Sequence, residues 1–170
     1  MMRALPLLVC LLAVPALAAP ATAPQPPLLP AAGQWQIVTQ LTQEQIARMQ
    51  ERAGDGRGQG GPGGKTIFDA KAGTMTRTQC LNKESISRWG QGMRRGRDED
   101  EQPKCDAPKY AVSNKTTLTI DLKCTAPEPS SSHAVYKFDA ARTSYTFEQT
   151  HTRDGEARKS KGTAKRVGDC

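Results

Sequence analysis

Thr117-Leu118-Thr119-Ile120-Asp121-Leu122-Lys123-Cys124 alternates polar and apolar side chains without a break. Side chains along a strand point to opposite faces in turn, so this period of two marks a β-strand with one buried face. Asn114-Lys115, just upstream, reads as the tip of a β-hairpin, although Lys115 is not the glycine that the tightest turns favour. In simple register about that tip, Cys105 stands opposite Cys124, close enough to bridge. Tyr110 and Val112 then face away from Cys105, and a bulge near Pro108 would bring all three to one side. The stretch therefore predicts a stapled hairpin.

Working outward, further short strands appear. Trp35, Ile37, Thr39 and Leu41 alternate with Gln34, Gln36, Val38 and Gln40, and Ile67-Phe68 and Thr74–Leu81 flank an Ala72-Gly73 turn. Pro127–Ser132 reads as a loop. Val135–Phe138 and Tyr145–His151 form a second hairpin around Ala140–Thr143, with Tyr136 and Phe138 opposite Phe147 and Tyr145. A last strand spans about Lys159 to Val167. Two short helices are expected between strands. Thr42 with Gln45 makes a capping box, Leu41 and Ile46 sit at staple positions, and Gly54 stops the first helix. Asn82 caps the second, which places Ile86, Trp89 and Met93 on one face. Strands at short spacing with no βαβ alternation predict a mainly β fold: a curved antiparallel sheet, barrel-like or sandwich-like, with one or two short helices.

The chain starts with a positive Met1–Arg3 segment and an apolar run from Ala4 to Leu17, and Ala16-Leu17-Ala18 has the small-x-small form of a signal-peptidase site. Residues 1–18 are expected to be a cleavable signal peptide, cut after Ala18, and Cys10 leaves with it. The run is shorter than the ~20 apolar residues of a membrane span, so the mature chain is expected to carry no transmembrane segment. Residues 19–32, rich in Ala and Pro, read as a flexible leader. Residues 33–170 form one domain, with flexible loops at about 54–64, where glycine dominates, and about 94–104, where charge switches from basic to acidic.

The core is thin. Leu, Ile, Val and Phe make up about 12% of residues 19–170, below the ~20% under which charged chains tend towards disorder. Here the apolar residues are clustered, and an oxidising compartment would make disulfides available. Four cysteines allow three connectivities. With Cys105–Cys124 taken from the hairpin, Cys80–Cys170 follows by exclusion and pins the C-terminus to the middle of the chain. Each bridge is worth about 3–5 kcal/mol in the chain-entropy picture, more for the longer loop.

Four features carry a family resemblance: Gly33-Gln34-Trp35 in the first strand, Gln79-Cys80-Leu81 ahead of a short helix, the Cys105…Cys124 hairpin, and the ending Arg166-Val167-Gly168-Asp169-Cys170. Together they resemble the bacterial exported proteins grouped as domain of unknown function 3617, over nearly all of the mature chain. The resemblance implies a periplasmic, disulfide-bonded β domain and brings no activity with it. The Gly-rich 54–64 insert and the Arg-rich loop near 94–97 depart from the family's pattern.

No motif joins a nucleophile, a base and an orienter, so no catalytic residue is assigned and the domain is expected to be non-enzymatic. A hydrolytic or redox enzyme stands third. His133 and His151 are far apart and no Cys-x-x-Cys occurs, so neither a metal nor another cofactor is expected. The net charge is +7. Arg153, Arg158, Lys159, Lys161, Lys165 and Arg166 concentrate positive charge near the C-terminus, and Arg94, Arg95 and Arg97 add to it. Nucleic acid would be the usual partner of such charge, but export argues against it. Anionic envelope components fit the compartment better, with an ordinary solvated strand as the plain alternative. A second functional reading is a carrier of a small hydrophobic ligand, its cavity lined by Trp35, Tyr136, Phe138, Tyr145 and Phe147. The simpler reading of those rings is the core itself. Asn114-Lys115-Thr116 has the form of a glycosylation sequon and is read as chance.

Overall fold

Apolar alternation recurs along most of the chain, and the structure converts it into a single sheet. The computed structural model describes residues 25–54, 66–87, 89 and 104–170. Nine strands are present among them: β1 Gly33–Gln40, β2 Thr66–Asp69, β3 Thr74–Leu81, β4 Lys104–Cys105, β5 Lys109–Ser113, β6 Thr117–Ala126, β7 Ser130–Phe138, β8 Ser144–Arg153 and β9 Glu156–Gly168. All pair antiparallel in the order β2-β3-β1-β9-β8-β7-β6-β4, with β5 also on β6. The path ends at β2 and at β4, so the sheet is open. Two helices, α1 Gln43–Gly54 and α2 Lys83–Ser87, follow β1 and β3. No helix among the described residues is long and apolar enough to cross a membrane.

One face of the sheet carries the core. Trp35 and Leu118 are fully buried, and Leu81, Ile120, Ala134, Phe138, Tyr145 and Ala164 surround them. Small residues on β9 make room for the rings. Ala164 lies between Ile37 of β1 and Tyr145 of β8, and Gly162 between Thr39 and Phe147. A Cβ at Gly162 would come within 2.7 Å of the Phe147 ring and closer still to the Val38 carbonyl.

The sequence motifs meet at one end of β3-β1-β9. Gly33 pairs with Leu81, Gln34 with Cys80 and Gly168, and Trp35 with Gln79 and Arg166. Gly33 has φ of 140°, in the region that favours glycine, and the Arg166 side chain crosses its bare Cα. The Arg166 guanidinium donates to the Ala32 carbonyl at 2.6 Å and pairs with Asp169. Cys170, one residue further on, bonds Cys80 across a Cα separation of 5.4 Å. The second bridge joins Cys105 to Cys124.

Local chemistry explains the elements and several departures from expectation. The Gln45 side chain accepts from the Thr42 N–H at 2.8 Å, and the Thr42 hydroxyl accepts from the Gln45 N–H at 3.3 Å, a reciprocal capping box. Asn82 caps α2 by accepting from the Ser85 N–H at 2.9 Å. The helix is five residues long; Met93, expected on its face, lies outside the described residues. The hairpin tip is three residues, Asn114–Thr116, with Ser113 paired to Thr117, where a two-residue tip was expected. Asn114 and Lys115 both take positive φ. This shifts the register by one against Cys105–Cys124, and the interruption at Asp106–Pro108 absorbs the difference. Tyr110 consequently lies opposite Ile120 on the buried side.

Strand β7 begins at Ser130, inside the expected Pro127–Ser132 loop, because Ser130 to Ser132 continue the ladder with β6 and β8. Strand β9 begins at Glu156, three residues before the expected start, on the two-residue Asp154-Gly155 turn. Both turn residues have positive φ, as the tight hairpin turns require. Residues 25–32, expected within a flexible leader, lie against the sheet. Pro26, Leu28 and Pro30 are buried, the Ala31 N–H bonds the Arg142 carbonyl, and the Trp35 indole N–H bonds the Ala31 carbonyl at 2.9 Å. Proline fixes φ and keeps this segment extended against the sheet. Residues 1–18, expected to be a signal peptide, and residues 19–24 of the expected leader lie outside the described residues. So do the loop positions 55–64 and 94–103, which include Arg94, Arg95 and Arg97.

Candidate anion-binding face

Alternation along β9 divides the six basic residues expected to act together. Arg158 and Arg166 share a face with Ala164 and the aromatic core, and Arg153 of β8 follows Tyr145 and Phe147 on that same face. Each arginine has a carboxylate neighbour: Arg153 pairs with Glu128, Arg158 with Glu156 at 3.6 Å, and Arg166 with Asp169. Lys159, Lys161 and Lys165 point to the opposite face. There Lys137 of β7 joins them, in line with Thr146 and Thr163 across the ladder. Among the described residues no carboxylate lies within ion-pair distance of these four lysines.

A groove of about 570 Å³ runs across this face over β1, β9, β8 and β7. Gln36, Val38, Lys137, Thr146, Thr163 and Lys165 of this face line it, together with Ser144 and with the core-facing residues Phe138, Tyr145 and Ala164. Asp139 stands at one end. Its carboxylate accepts from the Ser144 N–H at 2.9 Å, the Thr143 N–H at 2.7 Å and the Thr143 hydroxyl at 2.8 Å. These bonds, the Ser144 N–H foremost, hold its carboxyl below the usual range and aim its oxygens into the turn. Glu148 lies across the ladder from Lys161, and Asp121 is taken up by His133 at 2.8 Å.

On the core side, the five residues expected to line a cavity pack on one another. Trp35 lies 5.3 Å from Tyr145 between ring centroids, Phe138 5.2 Å from Tyr145, and Tyr136 6.3 Å from Phe147. Trp89, just beyond α2, closes the cluster at 4.7 Å from Tyr136 and 5.9 Å from Tyr145. Burial raises the pKa of Tyr136 and of Tyr145. Tyr136 raises Tyr145 further, and the Trp89 hydrogen bond opposes the shift. His151 is exposed at the far end of β8, opposite Ser132 and Arg158, and among the described residues no three of His, Cys, Asp and Glu converge.

Two members of these groups escaped the sequence reading. Lys137 sits outside the C-terminal charge run, but the alternation of His133, Val135 and Lys137 places it on the outer face. Trp89 was legible only as a helix-face residue alongside Ile86.

The fold is a disulfide-clasped, open antiparallel β domain with its aromatic core on one face and lysines on the other. The chain belongs to the family described as Protein of unknown function (DUF3617), whose model matches residues 27–170. No curated protein and no solved structure matches it.

Proposed function

We propose that the chain is an exported periplasmic domain without enzymatic activity, which binds polyanionic material of the cell envelope through its lysine face. The observation that carries this reading is the gathering of Lys137, Lys159, Lys161 and Lys165 on one sheet face with no carboxylate in ion-pair range among the described residues. Only Lys161 has an acidic cross-strand neighbour, Glu148, and the surplus of positive charge on this face attracts an anionic partner. The Ala16-Leu17-Ala18 cleavage pattern and two disulfides suit export to an oxidising compartment.

Co-sedimentation of the oxidised chain with isolated envelope material tests it. Binding should be strong at about 50 mM salt and largely lost by about 500 mM, as the Debye length falls well below 10 Å. Replacing the four lysines with glutamine should abolish it. Retention by that variant, or binding indifferent to salt, would overturn the reading.

A further inference from the structure

We infer that the groove over β1, β9, β8 and β7 seats a segment of acidic polysaccharide, its acid groups held by Lys165 and Lys137 and its hydroxyls by the polar side chains between them. The inference rests on the envelope-binding reading and specifies its ligand and seat.

Spacing is the first argument. Lys165 pairs with Ser144 on β8, and Lys137 lies two strands from β9, opposite Thr146. Strand separation and rise per residue put their Cα atoms about 12 Å apart. With both side chains upright on the sheet their ammonium groups stand about as far apart, a spacing that suits two acid groups on one chain, although leaning together they would also reach a single one. Lys161, four residues from Lys165 along β9, and Lys159, two residues further, lie on the same face, so a longer polyanion would find further cations beyond the groove.

The lining is the second argument. Gln36, Ser144, Thr146 and Thr163 offer an amide and three hydroxyls, none of which is engaged in a side-chain hydrogen bond among the described residues. Hydroxyls and amides both donate and accept, as sugar hydroxyls do. Val38 supplies an apolar floor for the C–H face of a ring. The groove's volume falls within the range of about 300–1,000 Å³ typical of ligand sites. A bilayer would ask for different chemistry, namely aromatic anchors on the same face as the cations. Here Trp35, Tyr136, Phe138, Tyr145 and Phe147 all lie on the other face.

Lysine selects for charge more than for geometry, because its ammonium is a compact point charge where arginine presents a planar fork. The recognition therefore falls to the groove's shape and hydroxyl lining, with a uronic-acid chain as the simplest occupant.

The test is an NMR titration of the oxidised, isotope-labelled chain with a galacturonic acid hexamer, maltohexaose as the neutral probe, and phosphatidylglycerol vesicles. The acidic hexamer should shift the amides of Thr146 and Thr163, and maltohexaose should not. Lys137→Gln and Lys165→Gln should each weaken binding about two- to fivefold, and together about tenfold. Lys159→Gln, outside the groove, should change it less, and unchanged spectra of the free variants would show that they fold. If the hexamer binds but all three lysine variants behave alike, the groove assignment falls and the lysine-face reading survives. Binding to vesicles without binding to the hexamer likewise overturns the polysaccharide and leaves the envelope reading. If none of the probes nor envelope material binds, both fall.

Discussion

Gly162 shows how much a single missing side chain contributes to this core. It sits in the middle of β9 between Thr39 and Phe147, and the absence of a Cβ lets the Phe147 ring lie over the strand. A methyl group there meets the Phe147 ring on one side and the Val38 carbonyl on the other. Neither neighbour gives way easily: the carbonyl belongs to the β1–β9 ladder, so that strand pairing must distort, and the ring is already packed against Tyr136 and Tyr145. Overpacking of this kind costs about 1–3 kcal/mol. We expect Gly162→Ala to lower the stability measured by urea denaturation by about 2 kcal/mol, with an unchanged slope. A neutral substitution would mean that the ring has space that the packing does not show. Nothing in the local sequence Ser160-Lys161-Gly162-Thr163 reveals this role, because it depends on which ring the pairing register sets beside the glycine.

At the scale of elements, legibility follows the range of the interactions. The α1 cap was readable because Thr42 and Gln45 satisfy each other's backbone N–H within one turn. The β7–β8 pairing was readable because Tyr136 and Phe138 repeat at the same period as Tyr145 and Phe147. The register of β5 against β6 was not, since Asn114-Lys115 is not a strong turn signal and a three-residue tip moves every partner by one. By contrast Asp154-Gly155 is among the strongest hairpin signals, but the strand after it starts with charged residues in place of the apolar alternation that marks a buried face. The lysine face followed only in part, because a charge run along a strand is cut in two by the pleat. Helix α1 provides the test at this scale. Its contact with the body runs through buried Ile46, beside the Gly73 turn, and Leu41 N–H bonds the Gly73 carbonyl. Thr42→Ala should therefore cost about 1 kcal/mol of local helix stability, seen as faster amide exchange at Gln45 and Ile46. The global unfolding midpoint should scarcely move. A large global loss would show that α1 supports the sheet more than its contacts indicate.

For the molecule as a whole, an open sheet with a small core has to be held at both of its ends, and each bridge serves one of them. Cys105–Cys124 ties β4 to β6 at one edge, while Cys80–Cys170 reaches from β3 past β1 to the residue beyond β9. The second spans 90 residues of sequence against 19 for the first, so chain entropy assigns it the larger share, about 4.6 against about 3 kcal/mol. That share is comparable with the whole stability of a small domain, about 5–15 kcal/mol. The bridge also bears on the groove, because Gln36 and Val38 come from β1 and Lys165 from β9, the strands that it clasps. The paired substitution Cys80→Ser with Cys170→Ser should lower global stability by about 2–5 kcal/mol. Under conditions where that variant remains folded, amide exchange should rise more in β1 and β3 than in β6 and β7, which keep the other bridge. Equal loosening of all strands would argue that the sheet opens as one unit and that the clasp has no local role. The uneven outcome would place the lysine-lined groove on the half of the sheet that depends on an oxidised Cys80–Cys170 pair, and would tie its shape to the redox state of the compartment.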